Sequence, residues 1–330
     1  MVKNHGVAKK ASGRLLPVLW ELRTAILLVM LCILFSFASS LFLSKMNIVN
    51  ILRQVSVNGL LSIGMTFVIL SGGIDFSAGS ILSLGSVVVA GFVSSAFPYA
   101  PTVDPLFAIF LGLLAGTVLG ALNGLVISTI KVRAAPFVVT LGMLILARWL
   151  ALGFSHGMPI RIQIKSFLLL GHGRLGFLPV QAIVFMVVLA LAWVVLHRTW
   201  FGRHVYAVGG NARILRASGI GSGFVIFMVY AISGFLSALG GILFAARVSA
   251  GIPLLGQSRE LDAIAAAIIG GTMTGGRGSL LGTLFGVLIL GVLRNGLDLM
   301  GVASFYQQMA VGLFIVGAVV LNCLQPGNDR

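Results

Sequence analysis

The chain has 330 residues, of which 58% are hydrophobic and only 9% charged, and its mean hydropathy is +1.11. A soluble globule carries about a quarter charged residues, so a water-soluble fold is excluded, and the apolar content suffices for about ten bilayer crossings of roughly 20 residues each. The net charge of +15 does not mark a nucleic-acid reader, because the 22 Lys and Arg are scattered between apolar runs and form no single basic face.

The first 23 residues hold Lys3, Lys9, Lys10, Arg14 and Arg23 and read as a basic cytosolic tail. Residues 24–44 carry no charge and are too long for the apolar core of a signal peptide, which predicts an uncleaved first helix. Charge-free stretches follow at 54–74, 76–103, 105–130, 175–197, 217–246 and 299–328, each long enough to span. The stretch 134–153 is interrupted by Arg148 near its end, where a long side chain can snorkel, and Arg277 separates the short stretches 263–276 and 278–293. The reading is an all-α polytopic membrane protein of about ten transmembrane helices, one of them broken or re-entrant. Residues 24–324 form a single transmembrane domain and 325–330 a cytosolic tail. With both termini in the cytoplasm, thirteen Lys and Arg fall on the inside against six in outside loops, the bias expected of cytoplasmic loops.

Glycines recur at every fourth position, at Gly112, Gly116, Gly120 and Gly124 and again at Gly278, Gly282 and Gly286. Such ridges let helix backbones approach, either within the chain or against a second subunit. Glycine-rich segments at 72–80 and 270–279 both interrupt apolar runs, and paired interruptions in two halves mark a transport pathway in many carriers.

A carrier driven by an ion gradient keeps carboxylates within its helices, yet of seven acids only Asp75 lies at membrane depth. Asp75 precedes Ser77 in the first glycine-rich break, and the pair reads either as a gate in the pathway or as the cap of a helix starting near Ser77. Asn58, Thr66, Asn123 and Thr140 are further polar positions within spans, able to line a pathway or to pin neighbouring helices. No Gly-x-x-x-x-Gly-Lys-[Ser/Thr] phosphate loop is present, so any ATPase is a separate chain. No His-Glu-x-x-His motif, Gly-x-Ser-x-Gly motif or clustered His and Cys occurs, and neither a catalytic residue nor a metal ligand is assigned.

The loop 197–223 is basic and free of acids. Its Gly209-Gly210-Asn211 run reads as a break, with Asn211 capping a short helix that Gly219 ends. Such a helix suits docking of a cytosolic partner, or anchoring at lipid headgroups.

Four motifs now carry a resemblance: Gly64-Met-Thr-Phe-Val-Ile-Leu-Ser-Gly-Gly-Ile-Asp-Phe-Ser-Ala-Gly-Ser80; Pro136-Phe-Val-Val-Thr-Leu-Gly142; Arg198-Thr-Trp-Phe-Gly-Arg203 leading into Ala207-Val-Gly-Gly-Asn211 and Ser218-Gly-Ile220; and Leu261-Asp-Ala-Ile-Ala-Ala-Ala-Ile-Ile-Gly-Gly-Thr272 followed by Gly275-Gly-Arg-Gly-Ser279. In that order they resemble the permease subunits of ATP-binding-cassette importers for monosaccharides, the ribose, allose and galactofuranose group. The resemblance implies a multi-pass protein of the bacterial inner membrane that imports a monosaccharide or similar polyol. It implies a second permease copy or a homologous permease, a cytosolic ATPase that holds ATP and Mg, and a periplasmic or lipid-tethered sugar-binding protein. This chain itself binds no cofactor. Gly202, Arg203, Gly209, Asn211, Ser218 and Gly219 would couple to the ATPase. Ile214-Leu215 stands where the family usually has an Ala-Ala pair, and the spacer between Gly271-Thr272 and Gly275-Gly276 is one residue short. Outer residues Arg161, Lys165, Arg174, Arg259 and Glu260 are candidates for receiving the binding protein, against solvated loop charge as the plainer account. An ion-coupled sugar transporter working alone and a membrane scaffold subunit are the rival readings.

Overall fold

The computed structural model describes residues 24–130, 135–217 and 221–323. Six helices are long and apolar enough to cross a bilayer: α2 (Lys45–Leu70), α4 (Pro105–Thr129), α5 (Ala135–Ser155), α7 (Val180–Arg198), α9 (Ser222–Val248) and α11 (Leu280–Leu299). Two shorter apolar helices, α1 (Thr24–Ala38) and α3 (Ala78–Val93), join them. The remaining helices are α6 (Lys165–His172), α8 (Trp200–Ala217), α10 (Arg259–Ile269) and α12 (Ser304–Cys323). Strands are confined to two-residue ribbons. Ile160–Arg161 (β1) pairs antiparallel with Ala250–Gly251 (β4), and Arg174–Leu175 (β2) pairs with Leu178–Pro179 (β3). The chain is an all-α, multi-pass membrane protein.

Local chemistry sets the helix starts. Asp104 accepts from the Leu106 amide at 2.8 Å with Pro105 in the first turn, and Ser279 accepts from the Gly282 amide at 3.1 Å. The middle of the molecule is α9, which packs on α2, α3, α4, α6 and α8. The first glycine ridge makes this possible. A Cβ on Gly116 would stand 2.7 Å from the Gly234 carbonyl, one on Gly124 2.7 Å from the Phe227 Cα, and one on Gly120 would overlap the Tyr230 carbonyl. The second ridge faces α10, where Gly282 meets the Gly270 carbonyl and Gly286 the Ala266 carbonyl. Both ridges are therefore used for crossings within the chain, where backbone contact replaces the hydrophobic drive that lipid cannot supply.

Two helices stop short of a full crossing. After α2 ends at Leu70, residues 71–77 turn back through Gly72, whose φ of +92° favours glycine, and α3 begins beside the middle of α9. Likewise α10 has only 11 residues and returns through a turn with positive φ at Gly271, Gly275, Gly276 and Gly278. The uncharged stretches 76–103 and 263–276 thus hold part-length helices: α3 ends at Val93 ahead of a segment with prolines at 98 and 101, and α10 ends at a glycine turn.

The expected break at 209–211 is not there. α8 runs through Gly209, Gly210 and Asn211 without interruption, so Asn211 lies inside a helix and does not cap one. Glycine at 209 serves close approach: a Cβ there would overlap the Leu70 carbonyl. Ser218 and Gly219 lie outside the described residues.

Candidate functional site

Three polar assemblies stack along α2, beginning at the end where α8 lies. The corner between α7 and α8 is tight, since a Cβ on Gly202 would overlap the Leu196 carbonyl, and Thr199 Oγ1 accepts from the Gly202 amide at 3.4 Å. Val205 and Val208 bury the inner face of α8, while Arg203 is exposed on the opposite side. Gly209 sits on the C-terminal turn of α2 and would bring a Cβ to 2.9 Å from the Gly276 amide nitrogen. Gly276 in turn meets the Tyr206 carbonyl, and the Tyr206 hydroxyl donates to the Gly278 carbonyl at 3.1 Å. Burial pushes the Tyr206 phenol above its ordinary range, which keeps the donor proton in place. One helix therefore leans, backbone on backbone, against both glycine-rich returns.

Deeper in, Asp75 is fully buried. Its Oδ1 accepts from the Ser77 amide at 2.9 Å and the Ser77 hydroxyl at 2.6 Å, and its Oδ2 accepts from the Ser233 hydroxyl at 2.7 Å. Asn123 donates to Ser77 Oγ at 2.9 Å, and the Thr140 hydroxyl reaches the Ile74 carbonyl at 3.3 Å. This network joins the 71–77 return to α4, α5 and α9. Asp75 is not itself the N-cap of α3, a place that Ser77 holds without a side-chain cap bond; its carboxylate instead takes the Ser77 amide and hydroxyl and fixes the turn just ahead of the helix. Thr66 pairs with Thr283 at 2.8 Å, and Thr283 with Thr272 at 3.3 Å, so hydroxyls tie α2 to α11 and to the second return. Asn123, Thr140 and Thr66 thus hold helices together.

Asn58 is different. It lies about 18 Å along α2 from Leu70, at 1.5 Å rise per residue, and opens into a chamber of about 280 Å³. Arg259 donates to Asn58 Oδ1 at 2.7 Å, with its guanidinium 4.6 Å from the Phe244 ring centroid. Arg247 lines the same wall, 6.0 Å from that ring. Arg294 pairs with Asp262 at 2.5 Å, and Asp298 accepts from Gln307 at 2.7 Å. Helices α2, α9, α10, α11 and α12 all contribute to the lining, Gln54 of α2 included.

Two of the residues expected to receive a binding protein prove to face inward. Glu260 is 6% exposed and its carboxylate lies against Gly79 at the start of α3; Arg259 turns into the chamber. The physical reason is that α10 begins inside the protein, which takes its first turn away from the surface. Arg161, Lys165 and Arg174 are exposed as expected. Sequence reading missed Phe244, Arg247, Arg294, Asp298 and Gln307 as a group, although three charges at helix ends, on α9, α10 and α11, were a usable signal. Among the described residues, no group of three His, Cys, Asp or Glu side chains converges to hold a metal.

Comparison with known proteins agrees with this architecture. Residues 47–322 match the family described as branched-chain amino acid transport system / permease component. The ribose import permease protein of Bacillus subtilis (strain 168) is 46% identical over 298 residues, 89% of this chain and 90% of the relative. The galactose/methyl galactoside import permease protein of Escherichia coli (strain K12) is 34% identical, with 91% and 93% covered, and a probable ABC transporter permease protein of the same strain is 37% identical, with 92% and 90% covered. No solved structure matches. By the extent of that match and these identities, the chain belongs to the family of permease components of transport systems, as a transport subunit and not an enzyme.

Proposed function

We propose that this chain is the membrane-spanning subunit of an ATP-binding-cassette importer that carries a monosaccharide or similar polyol across the bacterial inner membrane by alternating access. The family description names branched-chain amino acids, but the relatives named for ribose and galactose align over about nine-tenths of the chain and weigh more for the cargo. On this reading the chain makes ten crossings with both termini in the cytoplasm, and a second copy or a homologous permease completes the pathway. A separate ATPase binds ATP and Mg, and a periplasmic or lipid-tethered protein delivers the sugar at Arg161, Lys165 and Arg174.

One observation carries the mechanism: α8 touches the C-terminal end of α2 through Gly209 and the second return through Gly276, so displacement of one helix moves both part-length helices. Closure of the ATPase pair draws the two α8 helices together and switches the pathway between its inward and outward forms. Arg203, which is exposed on α8, meets the ATPase on this reading. On this reading Gly202 sets the angle at which α8 leaves α7, and Asn211, together with Ser218 and Gly219 just beyond it in the sequence, takes part in coupling.

Reconstitution in liposomes tests the reading. Uptake of radiolabelled sugar that requires ATP, the ATPase and the binding protein supports it; uptake by this chain alone under a proton or sodium gradient refutes it.

A further inference from the structure

We propose that the chamber at Asn58 is a transient holding site for one neutral monosaccharide and that Arg259 is the residue that selects it. The inference rests on the import reading and adds the site, the selecting group and the charge class of the cargo. At about 280 Å³ the chamber lies just below the usual range for small-molecule sites, which suits a ligand of about a dozen heavy atoms. A sugar offers a donor and an acceptor on almost every carbon, and the walls offer both in return: guanidinium and amide donors from Arg259, Arg247 and Gln54, and acceptors from Asn58 and Asp298.

Charge decides between a neutral sugar and an anionic one. Arg294 is already neutralised by Asp262, and an incoming phosphate or carboxylate would have to compete with that carboxylate. Asp298, on the same wall, is a second carboxylate, so two carboxylates stand against the guanidinium groups of Arg247, Arg259 and Arg294, and this near balance leaves little net pull on an anion. Arg259 is held by Asn58 on one side and Phe244 on the other, so its planar fork is fixed before a ligand arrives and little side-chain entropy is lost on binding. Its attachment to Asn58 is a single charge-assisted hydrogen bond to an uncharged acceptor, which a sugar hydroxyl can replace and later surrender. Weak, pre-set binding is what a pathway requires, since the cargo has to leave. The chamber lies toward the far end of α2 from α8, the side at which a binding protein delivers.

Saturation-transfer NMR on the full chain assembled with its ATPase in nanodiscs, without the binding protein, tests the assignment. D-Ribose and D-galactose are the neutral probes and ribose 5-phosphate the anionic one. Ring protons of the neutral sugars should be saturated. Binding should weaken about tenfold in Arg259→Ala, the loss expected for one charge-assisted hydrogen bond, and by less in Arg259→Lys, which keeps the charge without the fork. Asn58→Ala should also weaken it, since it removes the acceptor that Arg259 and a sugar hydroxyl share. Should Arg259→Ala fail to assemble, Arg259→Lys and Asn58→Ala decide the matter. Unchanged saturation in these variants, or stronger saturation of ribose 5-phosphate than of ribose, overturns the proposal. Failure of ATP-driven uptake by the complete transporter sinks the import reading; uptake that persists without saturation transfer sinks only this one.

Discussion

Replacing Gly209 by alanine adds one methyl group at the point where α8 rests on α2. That carbon would lie 2.9 Å from the Gly276 nitrogen and closer still to the Leu70 carbonyl. Both neighbours are backbone atoms that cannot rotate away, so α8 has to retreat by roughly 1.5 Å from the Leu70 carbonyl to restore an ordinary separation of about 3.5 Å. Overpacking of this kind costs about 1–3 kcal/mol, and if the loss falls on the contact that links the two ends of the transporter, coupling drops by about 5- to 150-fold. Gly210 provides the control, because it is exposed and its added carbon would come no nearer than 3.7 Å to the Gly275 carbonyl. Gly210→Ala carries the same gain in helix propensity, about 1 kcal/mol, without the clash. The assay is sugar taken up per ATP hydrolysed in proteoliposomes holding the complete transporter. Gly209→Ala should hydrolyse ATP while transporting poorly, and Gly210→Ala should behave as the unaltered protein. Equal stoichiometry in the two variants, or equal damage, would refute the reasoning.

Other predictions concern separate parts of the molecule. Asp75→Ala strips the acceptor from Ser77 and Ser233 and should cost about 3 kcal/mol, seen as a fall of about 6–12 °C in thermal unfolding in detergent; a shift under about 1 °C would show that the buried network stabilises nothing. A cysteine at position 203 should react with a membrane-impermeant maleimide only from the cytoplasmic side and one at 161 only from the outside, and the reverse pattern would end the proposed orientation. Charge reversal of Arg161, Lys165 and Arg174 to Glu should slow capture of the loaded binding protein by about tenfold at low salt, with the difference shrinking as salt rises; a salt-independent rate would remove electrostatic docking from the account.

The apolar stretches announced the crossing helices because the bilayer imposes a minimum length, and Thr24, Asp104 and Ser279 sit at the boundaries that the charge pattern outlined. Hydropathy could not separate α3 from the residues around it, since 71–77 and 94–103 are as free of charge as the helix itself apart from Asp75. Gly209 misled for an instructive reason: glycine breaks a helix in water but also permits the closest backbone contact, and only a neighbour distinguishes the two uses. Arg259 and Glu260 looked superficial because charge usually marks a surface. That rule fails where a helix begins inside the protein and its first turn meets a polar cavity. Asn58 could be identified as a pathway candidate from its sequence position, whereas its partners were scattered over four other helices and became a group only through packing.

The small ribbon between Arg161 and Ala250 has a mechanical consequence. Hydrogen bonding there stitches the outer rim to the strand of chain that, eight residues past Gly251, becomes the first turn of α10. On the way it is fastened to α3, where Ser83 Oγ accepts from the Gly256 amide at 2.8 Å. If a loaded binding protein docks at this rim as proposed, its push reaches the Arg259 guanidinium along covalent bonds and two short tethers, which would make the courier's arrival and the readiness of the cargo cradle one event.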